Sequence, residues 1–315
     1  MTFPKNPIRS SICILSNRLL LAGLLVFSLS GCRCPWSCTN ANLADSSRWF
    51  QSGIEAFNDG DHQEAETLIS QAVESRPEDP ILREHLANVY VEKDETQSAI
   101  EQLMKAAELS NQDVAILVRI GNLYLKNDQL IPAKQYAKQA ITSDRKHPEA
   151  WVLLADTKLA NGNLNEAIKD YQRALSLKND FPEVQIKIAE LHRLLGRPLR
   201  AFSTVEQMLS QLPPEQQPEP ALLLAGKLLI ELEQPTQAIE KLSLATRNGQ
   251  ASEQTYLELA SAQISVGREA EAYGTLVAAR KRFPSSNLIA KQYADWKVNN
   301  RRFAALDING DQIIR

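Results

Sequence analysis

The residues able to do chemistry are few and poorly placed for catalysis. All four cysteines, Cys13, Cys32, Cys34 and Cys38, lie in the first 38 residues, and residues 39–315 contain none. The four histidines, His62, His85, His147 and His192, stand far apart in the chain. A thiol nucleophile therefore has no histidine to activate it. Cys34 and Cys38 flank Pro35-Trp36-Ser37. They could close a disulfide in an oxidising compartment, though so small a loop would stabilise little. A metal site would need a fourth ligand, and no histidine lies near the cysteines. The sequence contains no Gly-rich phosphate loop, zinc-protease helix or Gly-x-Ser-x-Gly elbow. No cofactor, metal or small-molecule substrate is expected, and the chain is read as non-enzymatic.

One cysteine has a context. Residues 1–18 carry Lys5, Arg9 and Arg18, residues 19–29 are apolar or small, and Leu29-Ser30-Gly31-Cys32 follows. A basic stretch, a short apolar run and small residues make a secretory signal peptide. Eleven helical residues at ~1.5 Å each fall well short of a ~30 Å bilayer core. The tetrapeptide ending in Cys32 resembles the lipobox of bacterial lipoproteins. That resemblance implies cleavage before Cys32, a diacylglycerol on its sulfur and an acylated new N-terminus, hence a stable membrane anchor. Arg33, where an acidic residue would signal retention, resembles the pattern for the periplasmic side of the outer membrane. Residues 1–31 are thus read as a lipoprotein signal peptide and 32–45 as a lipid-anchored linker, reaching roughly 45 Å if extended. Two alternatives stay open. One is an ordinary secretory cut. The other is an organelle transit peptide, since residues 1–44 contain no acid.

Composition narrows the partners. The 315 residues are 23% charged and 43% hydrophobic, ordinary globular values that exclude disorder and a multi-span membrane protein. Removing three basic groups with residues 1–31 leaves 32 basic against 38 acidic groups, or −6. No cationic surplus exists to neutralise phosphates, so nucleic acid is excluded as a partner. Length alone suggests about two domains.

A repeat replaces that count. Aligned on alanine, position 20 of a recurring block is Ala65, Ala99, Ala133, Ala167, Ala201, Ala238 and Ala272. Five of the six intervals are 34 residues and one is 37. Position 8 is always Gly or Ala, from Gly53 to Ala260; position 27 is Ala except at Met208; position 24 is large except at Ala137. Positions 4, 7, 8 and 11 share one helical face, and positions 20, 24 and 27 share another. Breakers such as Gly60, Gly162, Gly196 and Gly267 separate the two helices. Pro80, Pro148 and Pro182 open three blocks, where a first helical turn tolerates proline.

This period and pattern resemble the tetratricopeptide repeat. The resemblance implies an all-α, right-handed superhelical solenoid of about seven helix-turn-helix repeats. Residues 46–215 give repeats 1–5. Residues 216–286 give repeats 6–7, after a Pro-rich elbow at QLPPEQQPEP. Residues 287–300 form a capping helix with Tyr293 and Trp296, because an end repeat leaves an apolar face uncovered. Residues 301–315 are read as a solvated tail. There Asp307, Asn309 and Asp311 take the spacing of a calcium loop, but Gln312 stands where the loop needs Gly.

The family binds protein segments in a concave groove lined by the first helix of each repeat, at positions 2, 5, 6, 9, 12 and 13. Here those positions hold Val118, Val152, Ile186, Leu223 and Leu257, an apolar track or else packing between neighbouring helices. They also hold Asn88 and Asn122, whose amides could read a peptide backbone, with Arg119 and Lys126 nearby. The carboxylate clamp of co-chaperone members is not matched. Of Glu84, Asn88, Arg119, Glu149 and Leu153 at its places, only Asn88 fits. The expected function is a membrane-anchored interaction scaffold of the bacterial envelope, by family resemblance in pilus or secretion-complex assembly. The alternatives are a soluble or organellar adaptor, and a docking subunit for an envelope protease or cell-wall hydrolase.

Overall fold

The computed structural model describes residues 35–249 and 251–299, so Cys32, Cys34 and the tail from residue 300 lie outside the described residues. The described chain is helical throughout, as paired antiparallel helices. The pairs are α1 (Pro35–Asn58) with α2 (His62–Ser75), α3 (Pro80–Glu92) with α4 (Thr96–Leu109), and α5 (Val114–Lys126) with α6 (Leu130–Ser143). There follow α7 (Pro148–Ala160) with α8 (Leu164–Leu177) and α9 (Pro182–Leu194) with α10 (Pro198–Leu209). Then come α11 (Glu219–Glu231) with α12 (Pro235–Arg247), α13 (Glu253–Ser265) with α14 (Glu269–Arg282), and a lone α15 (Asn287–Asn299). Each pair packs on the next, which makes a superhelical stack.

The alanine register is the packing register. All seven residues at position 20 are fully buried, and position 27 is buried in every repeat. Small residues are required there because the paired backbones approach closely. A Cβ added to Gly53 would lie 2.6 Å from Ile69 Cγ1, and one on Gly226 would lie 2.5 Å from Leu242 Cγ. Repeat 3 inverts the pattern. Its position 24 is the small Ala137, and Leu153 of the next repeat fills the space, 2.3 Å from where a Cβ on Gly121 would sit.

Local chemistry ends each helix. Position 15 of every repeat has positive φ: Gly60, Asp94, Asp128, Gly162, Gly196, Glu233 and Gly267. Four are glycines, for which this conformation costs least. Asp61, Asp79, Asp113 and Ser252 cap four helix starts through their side chains.

Two features differ from the sequence expectation or sharpen it. Helix α1 begins at Pro35, so most of the segment expected as a linker is helical. Pro35 suits a first turn, and no further Pro or Gly interrupts the chain before Gly53. At the elbow, Pro214–Gln216 form a 3₁₀ turn. Gln217 Nε2 donates to the carbonyls of Leu209 (2.9 Å) and Leu212 (3.2 Å), and Asn248 Nδ2 donates to that of Pro214 (3.0 Å). One core cluster runs across the elbow, from Val205 and Leu209 to Leu222 and Leu228. The cap is as expected: Ile289, Tyr293 and Trp296 are buried, with Trp296 against Tyr273 at 5.0 Å. Among the described residues, no helix is long and apolar enough to cross a membrane.

Candidate protein-binding surface

The first helix of each repeat carries the groove residues. The structure divides them into packing groups and presented groups. Val118 is 7% exposed, so it belongs to the core of repeats 2–3. Val152 packs on the cluster of Ala155, Tyr171 and Ile188, Ile186 on that of repeats 5–6, and Leu223 on that of repeat 6. Leu257 is half-buried. The aliphatic line thus joins neighbouring repeats, and only part of each side chain faces the groove.

What the groove presents is mainly polar. Arg119 reaches across from α5 to α3, donating to Glu84 Oε2 at 2.8 Å and to Asn88 Oδ1 at 2.5 Å. Asn88 and Arg119 therefore hold each other through the Asn88 oxygen, a bond that does not use its Nδ2 donors. Asn122 and Lys126, one and two turns along α5, are exposed. Further along, Lys187 pairs with Asp156 at 2.6 Å, and Asp156 also accepts from the Tyr171 hydroxyl. Arg193 pairs with Glu231 at 3.0 Å. Burial, with Asp156 close by, pushes the Tyr171 hydroxyl far above its usual range, so it acts only as a donor.

Sequence reasoning missed this ladder of ion pairs between successive first helices. Its signal was available. In each pair an acid at a groove position faces a base at a groove position of the adjacent repeat: 84 with 119, 156 with 187, 231 with 193. These half-exposed pairs contribute little stability each, but they fix which groups stay free. Among the described residues, Lys126, Glu190 and Lys227 have no ion-pair partner.

Position 11 is Tyr90 and Tyr124 in repeats 2 and 3 but Lys158, His192 and Gln263 in repeats 4, 5 and 7. Where the repeat pattern has an aromatic, Lys158 pairs with Asp170 at 2.7 Å, and Gln263 accepts from Thr275 Oγ1 at 2.8 Å. Both partners stand at position 23 of the same repeat. His192 has no such partner: it is 7% exposed and its Nδ1 is unbonded. Burial, then the charges of Arg200 and Arg197, lower its pKa. Among the described residues, no group of three or more His, Cys, Asp and Glu side chains could hold a metal ion.

The stacked pairs, the alanine register and the concave polar face together define an α-solenoid built for contact. Three tetratricopeptide-repeat models match the chain, over residues 50–114, 114–147 and 155–196. The chain is a tetratricopeptide-repeat protein, and such repeats serve protein–protein interaction. A comparison with curated proteins finds no match. Among solved structures it is similar to a tetratricopeptide repeat protein from Parabacteroides merdae, with 13% identity and a TM-score of 0.59, covering 80% of this chain and 98% of that one. It is also similar to pilF of Pseudomonas aeruginosa, with 19% identity and a TM-score of 0.55, covering 71% and 99%. A third similarity is to a chain of the APC/C hetero-tetramer Cut9-Hcn1, with 16% identity and a TM-score of 0.55, covering 72% and 45%. At these identities the likeness is one of fold.

Proposed function

We propose that this protein is a lipid-anchored scaffold of the bacterial envelope that holds a segment of a protein partner against its concave face. The observation that carries the reading is the combination of seven stacked repeats with exposed Asn122 and Lys126 beside groove positions that pair with one another. Free groups at that centre favour a partner segment that offers both peptide hydrogen bonds and an acid for Lys126. The Leu29-Ser30-Gly31-Cys32 sequence supports membrane attachment at Cys32. The outer membrane, periplasmic side, is the favoured site, and pilus or secretion-complex assembly the favoured pathway. Docking of an envelope protease or cell-wall hydrolase is the second reading, which the same groove would serve.

Metabolic labelling with a fatty-acid analogue tests the anchor. Label in the wild type that disappears in Cys32→Ala is the expected result, and an unlabelled wild type ends the envelope reading. Site-specific crosslinking from residue 122 tests the groove. Lys126→Glu should lose the crosslinked partner while the fold is kept. Val118→Glu is the wrong probe, because a charge at that buried site would test stability instead.

A further inference from the structure

A second surface lies off the groove, on the rim formed by the turns between the two helices of each repeat. In repeat 5 that turn, residues 193–200, carries Arg193, Arg197 and Arg200 and no acid. The corresponding turns of the other six repeats each carry at least one acid. Arg193 is committed to Glu231, but Arg197 and Arg200 are exposed and have no ion-pair partner among the described residues. Leu194 is 61% exposed and Leu199 70%, against the usual burial of such side chains. Between the turn and Leu232 of the next repeat lies an open hollow lined by Gly196, Arg197, Pro198, Leu199, Arg200 and Leu232.

The start of the following helix adds to the positive charge of Arg197 and Arg200. Helix α10 starts at Pro198 without a side-chain cap, so its first-turn N–H groups are open to an acceptor.

We propose that the repeat-5 turn is a docking site for a short acidic segment of a protein partner. An aliphatic side chain of that segment enters the hollow against Leu199 and Leu232, and its carboxylates meet Arg197 and Arg200. Charge complementarity selects this occupant over an anionic membrane. A flat lipid surface would also meet Glu166 of the preceding turn, whereas a short peptide against Leu232 meets only the flanking Glu231, already paired with Arg193, and Glu233, against two arginines. The site is separate from the concave face and does not depend on how that face is used.

Fluorescence anisotropy with a labelled decapeptide containing Asp-Glu-Leu-Leu-Glu-Asp tests it on the whole chain. Saturable binding is expected, weakened at least about tenfold in Arg197→Glu/Arg200→Glu, less in Leu199→Ser, and unchanged in Asn122→Ala/Lys126→Glu. All five positions are exposed, so the variants should melt like the wild type. The proposal is overturned by no binding up to about 1 mM peptide. Equal binding of a peptide with Lys in place of its acids, or an undiminished double variant, overturns it as well. Binding of phosphatidylglycerol vesicles but not of peptide would assign the patch to a membrane. Self-association lost in the double variant, without peptide binding, would assign it to a second copy of the chain.

Discussion

Single residues carry measurable strain and measurable charge. Position 15 needs a left-handed residue in every repeat. Asp94 and Asp128 tolerate it better than Glu233, whose longer side chain gains nothing locally. Glu233→Gly should therefore raise stability by about 1 kcal/mol, and Gly162→Ala should lower it by a similar amount. Urea midpoints report both, and a loss in Glu233→Gly would refute the strain argument. The histidines give a pH effect of defined sign. Burial lowers the pKa of His85 and His192 below the ordinary value of 6.5. The unfolded chain then takes up protons first as pH falls. Stability is full above pH 6.5 and erodes as pH drops from there through the lowered values. A His192→Gln variant should show a shallower loss between about pH 7 and pH 5. An identical slope would mean that His192 is not the group responsible.

At the scale of elements, helices pair through alanine. Ala167 has no exposed surface, and helices α7 and α8 meet there. Ala167→Leu should overpack the contact and cost roughly 1–3 kcal/mol. A wild-type melting temperature would show that the register is wrong. Helix α15 shows the opposite need, for bulk. Trp296 is 2% exposed and closes the open face of repeat 7 together with Tyr293. Trp296→Ala should cost about 3–5 kcal/mol locally, since stability in a repeat array is summed from neighbouring contacts. Hydrogen exchange should speed up in residues 253–299 while residues 46–177 keep their protection. Uniform loss along the chain would contradict that nearest-neighbour picture. Helix α1 bears on the proposed attachment at Cys32: eleven residues from Pro35 to Asp45 span about 16 Å as helix, far less than an extended linker would.

At the scale of the molecule, the elbow decides whether the array is one body. Its prolines suggest a change of direction, but the side-chain bonds of Gln217 and Asn248 and the core cluster beneath them tie repeats 5 and 6 together. Gln217→Ala removes two half-buried hydrogen bonds and should cost about 1–2 kcal/mol. Small-angle scattering should nevertheless keep the same profile, because Leu209, Leu222 and Leu228 still hold the joint. A broadened distance distribution in that variant would make the elbow a hinge.

The sequence determined by itself whatever has a period. Alanine every 34 residues specifies where backbones must come close, and a breaker near position 15 specifies where the chain must turn. Both are local requirements that repeat, so helix pairs, repeat count and cap were legible. The groove was legible only as a set of positions. Val118 and Asn122 stand one turn apart on α5, yet one is buried and the other presented. Asn88 is held by Arg119 from the next repeat, and of the three turn arginines Arg193 finds Glu231 while Arg197 and Arg200 find no ion-pair partner among the described residues. Such outcomes depend on the rotation and spacing between successive helices. Those are set by the summed packing of many side chains across repeats, and no residue spacing within one repeat encodes them.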